Sequence, residues 1–138
     1  MAMAVEAKIR DALLAHLAAL SLTPPLPVAY PDISFAPPEG TYLKAQLIPN
    51  TNRNQFVSDD STTEFRGIFQ ITVVSPSGAG SIAGAEIAGK VADHFERGAS
   101  LASGDLVVRI DGRPSVAADM QSTDRVETPI SVSWYAFG

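Results

Sequence analysis

Residues 65–98, FRGIFQITVVSPSGAGSIAGAEIAGKVADHFERG, constrain the fold more than any other stretch. An alternating run leads through small residues into a helical pattern closed by glycine. Phe65, Phe69, Ile71 and Val73 fall on one face of a strand, interrupted by Gly67, with Glu64, Arg66, Gln70 and Thr72 opposite. Gly67 reads as a bulge or a close backbone approach. After the small-residue turn, Ile87, Val91 and Phe95 recur every four residues. This predicts a helix over 81–97, with Ala83, Gly84 and Ala88 allowing close approach to a sheet. Gly98 stands where a left-handed C-cap belongs.

The remaining segments complete one set of elements. Val5, Ile9, Leu13, Leu17 and Leu20 form an apolar stripe that predicts a helix over 5–20. Pro24, Pro25 and Pro27 end it. Val28 to Tyr30 suits a short edge strand. Residues 41–48 alternate, with Leu43, Ala45 and Leu47 on one side, and predict another strand. Residues 106–110, 114–120 and 125–137 read as further strands, the last with Val126, Thr128, Ile130, Val132 and Trp134 on one face. The expected fold is α+β: a mixed, mainly antiparallel sheet with two helices packed on one face, as a single domain over 1–138. Between two strands lies a polar stretch, residues 50–63, too long for an ordinary connection and expected to be flexible.

Composition removes several function classes. The 138 residues include no cysteine, so disulfides and thiolate metal sites are excluded. The formal charge is −5, which disfavours sequence-reading contacts with nucleic acid. The N-terminal residues lack the basic-then-apolar pattern of a signal peptide, and no apolar run is long enough to span a bilayer. Synthesis in the cytoplasm and no membrane association are expected.

Chemistry-bearing patterns are few. Gly78, Gly80 and Ala83 fit G-x-G-x-x-A between a strand and a helix, the context of a dinucleotide fingerprint. Asp111 lies too far along to be its ribose ligand, and no further alternating strand–helix units follow. A tight strand-to-helix turn explains the same glycines. His16 and His94 sit beside helical stripes without metal-ligand spacing and read as boundary histidines. Asp59 and Asp60 read as a solvated pair on the polar loop rather than an acid–base pair. Trp134, Tyr135 and Phe137 read as part of a strand pinned into the sheet rather than as an aromatic binding face. No catalytic residue, cofactor or metal is assigned.

Taken in order, IRDALLAHLAAL, the proline-rich PLPVAYPDISFAPPEGTYLKAQLIPN, GIFQITVVSPSGAG, the helix closing in ADHFERG and the terminal TPISVSWYAF resemble the phage tail terminator family. The likeness runs from about Val5 to Phe137, with GTYLKAQL, GIFQITV and HFERG as its most specific pieces. It implies a structural, non-enzymatic role in a phage or prophage. Such proteins form a ring, typically hexameric, that caps the tail tube, ends its polymerisation and offers a docking surface to the head-side connector. The implied partners are copies of the same chain, the tail tube protein and a head-completion protein, with DNA passing through without specific binding. The implied place is the neck-proximal end of the virion tail. A neighbouring neck or head–tail connector protein is the near alternative, and a nucleotide-dependent enzyme using Gly78 and Gly80 the distant one. On the polar loop, Arg53, Phe56, Asp59 and Asp60 are the expected contacts to other subunits or to the tube.

Overall fold

The structure, a computed structural model, describes residues 4–22, 25–31, 33–49, 53–54, 63–78, 81–96, 98–122 and 124–137. Its spine is one long antiparallel pair. Strand β4 (Thr63–Pro76) runs against β9 (Arg125–Phe137) in unbroken register from Glu64↔Phe137 to Pro76↔Arg125. Between them in sequence lie helix α2 (Ser81–His94) and strands β5 (Ser100–Ser103), β6 (Leu106–Ile110), β7 (Ser115–Val116) and β8 (Met120–Gln121). Helix α1 (Val5–Ala18) and strands β1 (Val28–Ala29), β2 (Tyr42–Pro49) and β3 (Arg53–Asn54) come before. The strand order is β1-β2-β4-β9-β6-β5. Among the described residues only β1 with β2 is parallel, so the sheet is mixed and mainly antiparallel, as expected.

Register decides which side chains are buried. Phe69, Ile71 and Val73 of β4 stand beside Val132, Ile130 and Thr128 of β9 and beside Leu47, Ala45 and Leu43 of β2. That inner face receives both helices. α1 brings Ile9, Leu13 and Leu17; α2 brings Ala88, Val91 and Ala92, with Phe95 directly after it. These residues form one contiguous core, and the burial of its apolar surface is the main stabilising term.

Several sequence expectations need correction. Gly67 makes no bulge: it sits in continuous register between Pro49 and Trp134, whose indole is buried on the same face. α1 ends at Ala18 and α2 at His94, short of the expected 20 and 97. Gly98 is left-handed (φ 81°), but its N–H bonds to the Ile110 carbonyl (3.0 Å) rather than to the last helical turn. It steers the chain into β5. That strand was not anticipated, although Gly104 (φ 61°) opens the two-residue hairpin that joins it to β6. The strand expected over 114–120 is two short pieces, β7 and β8. Pro129 of β9 lies opposite the gap; lacking an N–H, it only accepts, from Ala117 (2.8 Å). Thr128 Oγ1 donates to Asp119 Oδ1 (2.8 Å) at the same place.

Gly84 and Ala88 do press on the sheet, whereas Ala83 faces solvent. A Cβ on Gly84 would meet Ser75 Oγ at 3.6 Å and Thr128 Oγ1 at 3.9 Å, which is ordinary contact. Gly84→Ala is therefore expected to raise stability by about 0.5–1 kcal/mol through helix propensity. Gly84→Leu should lower it by at least about 1 kcal/mol by forcing the helix off the sheet. Thermal unfolding of the two variants checks both signs.

Candidate functional site

The outer face of the sheet, opposite the helices, divides into two halves. At the end where β9 begins, the chain covers it. Arg125 donates Nη2 to the Pro38 carbonyl (2.7 Å) and Nη1 to the Gly40 carbonyl (2.9 Å), and its guanidinium lies 5.9 Å from the Tyr42 ring centroid. Phe35 packs on the same ring at 5.2 Å. Lys44 and Glu127 close the cover with an ion pair of 3.0 Å. Thr72 and Val74 beneath are buried although they point away from the core.

The other end is open. One outer-face row runs Arg66, Tyr135, Arg109, Ser100 across β4, β9, β6 and β5. Two arginines thus flank one tyrosine. The row on the β2 side holds Ile48 and Ile68, which are cross-strand partners. Phe137 packs edge-on against Tyr135 at 5.9 Å. Ile48 (40% exposed), Ile68 (37%), Val107 (37%) and Phe137 (46%) all show on this half. Arg66 pairs with Glu64 at 3.3 Å, while Arg109 donates only to Ser100 Oγ (3.0 Å) among the described residues. Apolar, aromatic and arginine side chains side by side make the composition of a protein contact, not of a substrate pocket.

The contacts expected from the sequence are Arg53, Phe56, Asp59 and Asp60. Arg53 lies in β3, whose backbone pairs with Glu64 at this open end. The stretch expected to be loop throughout therefore contains a short strand. Phe56, Asp59 and Asp60 lie outside the described residues. The open face itself was missed. Its signal was available in two isoleucines, Ile48 and Ile68, that occur out of phase with the core-facing residues of their strands. The Arg66–Tyr135–Arg109 row needed the register. The three C-terminal aromatics split: Trp134 enters the core, while Tyr135 and Phe137 belong to the open face.

Gly78 has φ 90°, as a tight turn requires; Gly80 lies outside the described residues. The Asp111 N–H bonds to Ser133, the partner of Ile68, whereas Gly78 follows the far end of β4 at Pro76. About 25 Å of strand separates the two levels, so Asp111 cannot serve a nucleotide held at Gly78. An apolar cleft of about 310 Å³ between the end of α1 and β1 is lined by Leu17, Leu20, Leu26 and Leu43 among others, without acidic, basic or histidine side chains. Among the described residues no group of three or more His, Cys, Asp or Glu side chains is placed to hold a metal. No helix among them is long and apolar enough to cross a membrane.

The two histidines join the helices. His16 Nε2 donates to the His94 carbonyl (2.7 Å), and His94 Nε2 donates to the His16 carbonyl (2.6 Å). The rings stack at 4.0 Å and 14°, against the edge of Phe95. Burial, opposed by the carbonyl bond and aided by the neighbouring ring, holds His16 below the usual imidazole value of 6.5. The unfolded chain therefore takes up this proton first. Stability should be full above about pH 6.5 and fall as the pH drops below it. Melting temperatures between about pH 7.5 and 5.5 should show that slope, and His16→Gln should flatten it. An unchanged slope in the variant would assign the effect to other groups.

Residues 8–134 match the model of the family described as phage tail terminator protein. The chain belongs to that family. A solved structure known by a sequence identifier alone is similar over 99% of this chain and 97% of its own, with a TM-score of 0.80 and 31% identity. No curated protein sequence matches significantly. Membership of the tail terminator family gives the chain a structural role in phage tails and accounts for an exposed face suited to protein contacts.

Proposed function

We propose that this terminator-family protein forms a ring, most simply a hexamer, on the last ring of the tail tube. There it stops polymerisation and presents a surface to the head-side connector. The observation that carries the reading is the open half of the sheet: four exposed apolar side chains and two arginines around Tyr135, with the β3–β4 backbone pairs at the same end. A monomer gains nothing from such a surface, whereas a ring subunit needs it. In this reading the protein is not an enzyme, takes no cofactor and resides at the neck-proximal end of the tail. DNA passes an acidic molecule without being held. Arg53, Phe56, Asp59 and Asp60 remain the proposed contacts of the loop.

Purified protein added to tails that lack it should convert them to forms competent to join heads. Tails that join heads equally well without it would place the activity in another neck component. Titration with NAD, FAD and ATP by calorimetry should give no saturable heat; a micromolar response would restore the enzyme reading.

A further inference from the structure

We propose that the open outer sheet face of one subunit receives the exposed stripe of α2, led by Ile82 and Glu86, from the next copy of the chain. This rests on the ring reading above and assigns its two complementary patches.

Three observations point there. Ile82 is 81% exposed, the most exposed of the large apolar side chains described. Glu86 stands one turn further on, also exposed, with no cation partner among the described residues. Residues four apart share a helix face, so Ile82 and Glu86 stand together at the start of α2, with the exposed Lys90 one turn further on. The open sheet face offers the complement. Ile48, Ile68, Val107 and Phe137 supply an apolar floor, and Arg109 is a guanidinium without a carboxylate among the described residues. Arginine and tyrosine near the centre of an apolar patch are the residue types that dominate contact energies.

Direction supplies the third. α2 buries Gly84, Ala88, Val91 and Ala92 toward the inner face of the sheet. Its Ile82–Glu86 stripe therefore looks away from the sheet on the helix side, while the arginine row looks away on the other. One subunit cannot bring its own two patches together. A two-fold pair through either patch would set like against like. Joining unlike patches makes a head-to-tail contact, which closes into a ring when the rotation allows. A phosphate backbone fits less well, because Ile48, Ile68, Val107 and Phe137 stand exposed beside the arginines.

Charge exchange tests the pairing. The full-length wild type, Arg109→Glu, Glu86→Arg and the double variant are compared by sedimentation velocity over a range of concentrations, and by cross-linking on purified tail tubes. Both positions are exposed, so the melting temperatures should match; neutral Arg109→Gln and Glu86→Gln replace any reversal that lowers them. Each single reversal should weaken subunit association about tenfold or more, and the double variant should recover to within about threefold of wild type. If the wild type associates but the double variant is no better than the singles, the pairing is wrong and the ring reading stands. If Arg109→Glu associates normally yet loses binding to tubes or to duplex DNA, the face belongs to that partner and the proposal fails. A wild type that stays as single subunits at every concentration and at tube ends overturns both readings.

Discussion

Phe95→Ala is expected to cost about 3–5 kcal/mol, the range for emptying a fully buried aromatic site. Phe95 directly follows α2, where both helices meet the sheet. Its ring is fully buried and makes edge contacts with Phe69 (5.7 Å), His16 (4.8 Å) and His94 (5.5 Å). These neighbours come from β4, α1 and α2, three separate anchors, so collapse around an alanine is resisted from three sides. A domain of this size has about 5–15 kcal/mol in total. The melting temperature should therefore fall by roughly 10–20 °C. A loss under about 1 kcal/mol would show that the helices slide to fill the space and that the histidine pair does not fix their positions.

The second large effect concerns residues 55–62. The backbone pairs Arg53↔Glu64 and Asn54↔Thr63 bring the two ends of this segment side by side. Replacing 55–62 by a two-residue Asn-Gly turn should therefore preserve the pairing. Stability should stay within about 1 kcal/mol of wild type, since shortening a loop changes closure entropy slowly. Tail completion should nevertheless be lost, because Phe56, Asp59 and Asp60 go with the segment. Melting curves and a head-joining assay on the same preparation separate the two effects. A variant that folds and still completes tails would remove the loop from the contact; one that fails to fold would place it in the core.

Much of the architecture was legible in the chain because burial imposes a period. The alternation of 125–137 and the three- and four-residue steps of α1 and α2 report which face meets the core. Small-residue punctuation was harder. Gly98 was read as a helix cap because a left-handed glycine after a helix usually is one; here its N–H finds Ile110, a partner set by tertiary structure. The β5–β6 hairpin was overlooked because Ser100–Ser103 carries only Leu101 as a large apolar residue. Pro129 broke the expected strand over 114–120 from across the sheet, an effect that no local pattern contains. The open sheet face was not legible as a unit. The arginines around Tyr135 come from strands 69 and 26 residues away in sequence and meet only through register. The histidine pair, 78 residues apart, was invisible for the same reason.

The most direct measurement is electron microscopy of purified tail tubes mixed with this protein. A single ring of subunits should sit on one end of each tube, and decorated ends should no longer elongate when free tube subunits are added. Undecorated ends that continue to grow at saturating protein would contradict the capping role.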